Sequence, residues 1–119
     1  MTNRHRGEIA AMLGGRQRRL VLTLAGLAEL EAHFEAADLV ELADRFAAGR
    51  LAARDLAAVI GAGLRGAGET ISDAEAAGLA VDGGAGAYAR IVSDLLSATF
   101  GAPPQEEQPA AGASGPFAA

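Results

Sequence analysis

The residues that could perform chemistry are few and scattered in this sequence. Its two histidines, His5 and His33, stand apart from one another, and neither is grouped with other metal ligands at a suitable spacing. Ser72 and Ser93 have no histidine placed to activate them, and there is no cysteine to act as a thiol nucleophile. We therefore expect no enzymatic activity, no metal and no cofactor.

Carboxylates recur at helical spacing, as in Asp38, Glu41 and Asp44. Acid–base catalysis needs two carboxylates held across a cleft, with the pKa of one raised by burial. These acids fall on the predicted outer face of a helix, so we interpret them as solvated surface. His33 and Glu29 are four residues apart and could pair to support their own helix.

Residues 61–66 read Gly-Ala-Gly-Leu-Arg-Gly and match the G-x-G-x-x-G pattern letter for letter. The dinucleotide-binding fingerprint follows a strand and opens a helix, whereas this segment closes a predicted helix. We therefore do not expect nucleotide binding. Glycines inside a helix are instead tolerated where another segment approaches closely, which indicates that this helix is the central one.

Arginines near the N-terminus form the other candidate site. The first 22 residues hold five arginines, among them Arg16, Arg18 and Arg19, against the single acid Glu8, whereas fourteen acids face five arginines from Thr23 onward. Aromatic residues make up only 4% of the chain, so base-stacking side chains are scarce, and the acidic body repels phosphates. For these arginines, a contact with another protein or a solvated position at the hairpin tip is favoured over nucleic-acid binding.

A β-hairpin is predicted over residues 8–22. Two short runs with alternating apolar residues flank Gly14-Gly15, and both positions of a two-residue primed turn require positive φ. Arg16 and Arg18 share their parity with Leu20, but they stand near the turn, where we expect them to reach water. The apolar face of the hairpin should pack on the helices that follow, because an isolated hairpin is marginally stable.

Four to five helices are predicted between residues 24 and 100. Apolar residues recur at three-to-four spacing in each, and the first stripe is predicted to include Leu24. Caps are indicated at Thr23, at Asp38, and at Ser72, which forms a capping box with Glu75. The fold class is therefore mainly α with a short N-terminal hairpin (α+β), a small helical bundle forming one domain over residues 1–101.

The composition indicates how large the core can be and in which cellular compartment the protein is found. Hydrophobic residues make up 50%, but most are alanine, so a thin Leu/Ile/Val core is expected. Residues 102–119 are rich in Pro, Ala and Gly and are predicted to be a disordered tail, with Phe117 as its single anchor-like side chain. With no signal peptide after Met1–Arg6 and no membrane span, we expect a cytoplasmic protein.

Several stretches in order carry a resemblance to a known family. They are Asn3–Glu8 before the hairpin, Leu22–Glu31, Leu39–Phe46, Gly49–Leu56, Gly63–Gly66 and Asp94–Gly101. This order resembles the gene transfer agent family of small tail proteins, over about residues 3–101. The resemblance implies a tail-assembly chaperone that binds the tape-measure protein, the tube protein or both, and that is absent from the mature particle. A structural tail tube component is the alternative, and a small DNA-binding regulator using the arginine-rich hairpin is a further one.

The partner surface of such a chaperone is hypothesised to lie on the third and last helices. Small residues on a helix surface can leave a shallow groove in which another helix lies. The candidate residues, together with Arg16, Arg18 and Arg19, are Leu56, Ile60, Gly63, Leu64, Tyr88 and Leu95. The alternative for the apolar ones is that they form the core of the monomer.

Overall fold

The computed structural model describes residues 7–101, which form an antiparallel hairpin followed by five helices. The elements are β1 (Glu8–Leu13), β2 (Arg16–Val21), α1 (Leu24–Phe34), α2 (Leu39–Ala48), α3 (Ala53–Gly66), α4 (Asp73–Ala77) and α5 (Gly84–Phe100). This arrangement confirms the predicted α+β class and the hairpin at its N-terminal end. The predicted disordered tail, Phe117 and the basic residues before Gly7 lie outside the described residues.

The hairpin turns at Gly14-Gly15, as the sequence predicts. Both residues have positive φ, 64° and 87°, and Leu13 pairs with Arg16 across the turn. Gly14 N–H also donates to the carbonyl of Ala80 at 2.9 Å, which ties the turn to the segment before α5. The buried face of the hairpin, which includes Leu13 and Leu20, packs on α3 and α5.

The helices begin where capping residues supply acceptors for their free N–H groups. Thr23 Oγ1 accepts from Gly26 N–H at 3.1 Å, and Asp38 Oδ1 accepts from Glu41 N–H at 2.9 Å. Ser72 and Glu75 form the complete capping box, since each side chain accepts from the backbone N–H of the other residue. All three predicted caps are therefore confirmed.

Helix α3 is central, as the glycines in it indicate. It packs against β2, α1, α4 and α5, and the residues from 57 to 64 are buried without interruption. A methyl group on Gly63 would stand 2.8 Å from Cδ2 of Leu95, and one on Gly66 would overlap the carbonyl oxygen of Val21. The G-x-G-x-x-G letters are therefore explained by close packing inside the fold.

Leu24 is placed differently from the prediction, which assigned it to the buried stripe of α1. Its side chain is 77% exposed, whereas Gly26, Leu27, Leu30 and Phe34 are buried. At about 100° per residue, Leu24 stands roughly 100° from the middle of that buried stripe. Leu24 is three residues from buried Leu27, but it lies beyond the edge of the buried stripe and therefore faces away from the core.

Candidate protein-binding surface

An apolar groove lies between α2 and α5. Phe46 lines it from α2, Leu96 and Phe100 line it from α5, and Leu51 and Leu56 contribute the remaining large apolar side chains. Its volume is about 580 Å³. We call this surface the α2–α5 groove. It is an apolar concavity on the surface of the fold, of the kind in which protein segments and small ligands bind.

Aromatic packing holds one end of the α2–α5 groove. The rings of Phe34 and Phe46 meet edge to face with centroids 5.2 Å apart, and the rings of Phe46 and Phe100 lie 6.0 Å apart. The guanidinium of Arg45 sits 5.1 Å from the centre of the Phe34 ring and donates to the Phe34 carbonyl. Phe46 is therefore fixed from the core side, while Phe100 remains 38% exposed.

A second apolar cavity adjoins the groove at Leu56, which lines both. It opens to the surface, has a volume of about 280 Å³ and is lined by Leu79, Val81 and Tyr88 together with alanines of α3, α4 and α5. The hydroxyl of Tyr88 donates to the carbonyl of Ala76 at 2.6 Å, and burial raises the pKa of this hydroxyl. We call this space the Tyr88 cavity. Along α5 the two spaces follow one another, since Gly84, Ala85 and Tyr88 line the cavity and residues from Ala89 to Phe100 line the groove.

The structure separates the apolar residues of the hypothesised partner surface into two groups. Ile60, Leu64 and Leu95 have no exposed surface, and Gly63 is buried between Leu20 and Leu95. These four belong to the core of the monomer, which was the alternative for them. The other two, Leu56 and Tyr88, are half-buried and line the apolar surface described above.

The three arginines of the hairpin do not form one basic patch. Arg18 is only 11% exposed at its side chain, because it donates to the Leu13 carbonyl and pairs with Glu69 at 2.6 Å. Most of its side chain is therefore covered, contrary to the prediction, since the loop after α3 places Glu69 against it. Arg16 is exposed and stands 4.0 Å from the same carboxylate.

Arg19 lies on the opposite face of β2, where it pairs with Glu8 at 2.8 Å. Carboxylates thus offset much of the positive charge that the sequence places on the hairpin. Phosphate binding depends on uncompensated cations, so this geometry weakens the alternative of a DNA-binding regulator. Arg16 and Arg19 remain accessible, with 64% and 66% of their side chains exposed, for contacts with an acidic protein surface.

His33 pairs with Asp55 and not with Glu29 as the sequence suggests. The distance from His33 Nε2 to Asp55 Oδ1 is 2.8 Å, and Asp55 Oδ2 accepts from Ala52 N–H at 2.7 Å. Burial alone would raise the pKa of Asp55, but the hydrogen bonds with His33 and Ala52 outweigh burial and lower it. This pair joins α1 to the first turn of α3 and provides a structural explanation for both residues.

Arg65 joins three helices at the surface, which sequence reasoning did not predict. One guanidinium nitrogen bonds Glu29 at 2.6 Å, and the other bonds both Asp73 and the carbonyl of Ile71. Burial lowers the pKa of Arg65, but the bonds to Glu29 and Asp73 outweigh it and raise the pKa. Its partners are 36 and eight residues away, so no local spacing could identify this site.

Sequence reasoning also missed the α2–α5 groove. Apolar spacing along the chain predicts a buried position for Phe46 on α2, and on α5 it predicts a broad stripe that takes in Ile91, Leu96 and Thr99 besides Val92 and Leu95. The structure fully buries only Val92 and Leu95 of that stripe and leaves the others partly exposed. The breadth of the apolar stripe on α5 was the signal that this helix has more apolar surface than its own fold covers.

Within residues 7–101, no grouping of three or more potential metal ligands occurs, and no helix combines the length and apolar character that a membrane crossing demands. The described domain is a small α+β fold with an apolar groove on its surface. The sequence matches the family described as "Phage tail tube protein, GTA-gp10" over residues 6–102. The chain belongs to this family of gene transfer agent and phage tail proteins. No curated protein and no solved structure matches it significantly.

Proposed function

We propose that this chain is a structural component of the tail tube of a gene transfer agent or tailed phage. Membership of a family described as tail tube proteins is the observation that carries this proposal, since the match spans residues 6–102. It supports the alternative raised by the resemblance more strongly than it supports the chaperone. No catalytic activity is part of the proposal.

The geometry is compatible with assembly into a repeating structure. Head-to-tail assembly of identical subunits requires two different surfaces that fit each other. The two-stranded sheet of the described residues leaves an outer edge on each of β1 and β2, and such edges can pair with further strands. The α2–α5 groove provides an apolar surface built from other elements, so one subunit presents two distinct kinds of contact.

A tail-assembly chaperone that binds the tape-measure protein, the tube protein or both is the second candidate. The observation that favours it is the α2–α5 groove, whose helical walls and apolar lining, which includes Leu51, Leu56 and Leu96, suit the apolar face of an amphipathic helix. In this candidate the protein acts in the cytoplasm of the producing cell and leaves the tail before the particle matures.

Quantitative mass spectrometry of purified particles and of the lysate of the producing cells distinguishes the two candidates. A tube component is expected in the particle in many copies, at a constant ratio to the other tail proteins. A chaperone is expected in the lysate and depleted from the particle. Absence from the particle would therefore refute the tube proposal.

Co-expression with the tape-measure protein provides the complementary test of the chaperone. Rescue of tape-measure solubility by the wild type, and its loss in Leu96→Asp, would support binding through the groove. Val40→Asp is the matched control, because Val40 is on α2, is 72% exposed and does not line the groove. No rescue by the wild-type chain would remove the chaperone candidate.

A further inference from the structure

The outer edge of β1 carries backbone hydrogen-bonding groups that point away from β2. In a hairpin closed by a two-residue turn, the two residues that flank the turn exchange hydrogen bonds, and every second pair after them does the same. Leu13 and Arg16 are the flanking pair, so the N–H and C=O groups of Glu8, Ala10 and Met12 point outward. Between residues 7 and 101, no backbone group of another element bonds to these three residues. We call this row of outward groups the β1 edge.

Within the part of the chain that the structure describes, the β1 edge lacks the features by which proteins usually prevent a strand from pairing with another molecule. Such features are lysines, prolines, bulges and covering segments. β1 pairs with β2 at consecutive positions without a bulge, and Glu8 at its start is its only charged residue. Ala10 is exposed and Met12 is 59% exposed. A further strand can therefore approach this edge.

The outer edge of β2 is less accessible than the β1 edge. By the same alternation, the carbonyl of Val21 points away from β1, and the backbone of Gly66 at the end of α3 packs closely against it. Arg16 and Arg19 are exposed along the rest of this strand. A strand that follows β2 therefore has room beside only part of it, and a second β2 would bring like charges together.

We infer that the β1 edge pairs antiparallel with the β1 edge of a second copy of this chain, which gives a four-stranded sheet across a two-fold axis. Head-to-tail strand pairing would need both edges of each copy, whereas isologous pairing uses the accessible edge twice. Because the outer edges of the resulting sheet are those of β2, the assembly ends at two copies. The inference concerns the free protein and does not depend on whether the chain acts as a tube subunit or as a chaperone.

A register centred on Ala10 suits the side chains of the two strands. It places Ala10 opposite Ala10 of the second copy and Glu8 opposite Met12 of the second copy, so no like charges face each other. All three outward-pointing residues of each copy then belong to hydrogen-bonded pairs, which gives about six hydrogen bonds between the copies. The exposed side chain of Met12 also gains neighbours from the second copy.

Analytical ultracentrifugation of the full-length chain tests whether this dimer forms. The dimer is expected to be weak, because about five residues on each side bury far less than the roughly 1,600 Å² of a standard protein interface. A concentration series from about 10 μM to 1 mM spans the dissociation constants of such contacts. The weight-average mass should rise with concentration from the monomer mass of 11.9 kDa toward twice that value. A mass that stays at the monomer value throughout would overturn the proposal and leave the β1 edge to a strand of another protein.

Two proline variants identify the edge that pairs. Ala10→Pro removes an N–H that points away from β2, so it blocks the contact between copies without removing a hydrogen bond inside the hairpin. Gln17→Pro makes the same change on the outer edge of β2, because Gln17 is opposite Met12. Ala10→Pro should abolish the rise in mass, and Gln17→Pro should retain it, with far-ultraviolet circular dichroism to confirm that both variants fold. An equal effect of the two prolines would contradict pairing through the β1 edge.

Charges on the two-fold axis test the register and use variants that keep every backbone N–H. Ala10→Lys and Ala10→Glu should each raise the Kd of the dimer by about fivefold, because position 10 faces its own copy and like charges repel. An equimolar mixture of the two variants should recover the association, since lysine then faces glutamate. Gln17→Lys and Gln17→Glu are the matched controls and should leave the Kd unchanged, alone or mixed. A mixture of the Ala10 variants that associates no better than either variant alone would also overturn the proposal.

Discussion

The contact between Gly66 and the carbonyl of Val21 tests how the hairpin is attached to the helices. A methyl group at position 66 would overlap that carbonyl oxygen, which is backbone and cannot rotate away as a side chain can. The Gly66→Ala variant must therefore move β2 away from the end of α3. The backbone at position 66 would otherwise accept alanine without strain, because Gly66 is not among the residues with positive φ.

The expected magnitude follows from two opposing effects. Overpacking of this kind costs about 1–3 kcal/mol, and here the upper part of the range applies because the obstacle is backbone. Alanine gains up to about 1 kcal/mol over glycine in a helix interior, and less near a helix end. We therefore expect Gly66→Ala to lower the free energy of unfolding by roughly 2 kcal/mol, which corresponds to about 8–16 °C in Tm for a domain of this size.

Gly86→Ala is the matched control for this substitution. Gly86 is also helical, it is exposed, and a methyl group there would meet no atom within 4 Å. Only the propensity effect remains, so this variant should raise stability by up to about 1 kcal/mol. Urea denaturation followed by far-ultraviolet circular dichroism measures both variants. If Gly66→Ala were as stable as Gly86→Ala, the close packing of β2 on α3 would be refuted.

Three further predictions concern single side chains and are tested by the same denaturation assay. Asp55→Asn should cost about 1–3 kcal/mol at pH 7, because the lowered pKa of Asp55 stabilises the fold above the pKa of the unfolded state, about 3.9, and this stabilisation is lost as pH falls through the folded value. The deficit of the variant should therefore shrink in acid, and a deficit that does not change with pH would contradict the assignment. Ser72→Ala should cost about 1 kcal/mol through loss of the cap of α4, with Ser93→Ala, outside any cap, as its control. Tyr88→Phe should cost about 1 kcal/mol, because the Ala76 carbonyl loses its donor; an unchanged midpoint would show that this bond contributes nothing.

The local elements of this fold are predictable from sequence because their signals are local. Gly14-Gly15 specifies the turn through its positive φ, and the Ser72 capping box involves residues three positions apart. The sequence predicts that another segment packs closely on Gly63, since a glycine inside a helix indicates close packing. It does not predict which residues make that contact. Each of these features depends on atoms that are neighbours along the chain or on a single backbone angle.

The surface features could not be predicted, because they depend on residues distant in sequence. Alternation places Arg18 on the same face as buried Leu20, and only its position near the turn predicts exposure, yet Glu69 in the loop after α3 covers it. His33 has an acid four residues away in Glu29, yet it binds Asp55 on another helix. Pair spacing along one helix identifies possible partners, and tertiary packing decides between them.

The groove shows how the same limit applies to function. Apolar periodicity identifies which face of α5 is apolar. It does not distinguish the residues that the chain's own helices cover from those left exposed for a partner. Val92 and Leu95 are covered, whereas Leu96 and Phe100, on the same broad stripe, border open apolar space. An assembling tail protein needs such a surface, and it must also prevent premature association through it, because exposed apolar patches promote aggregation.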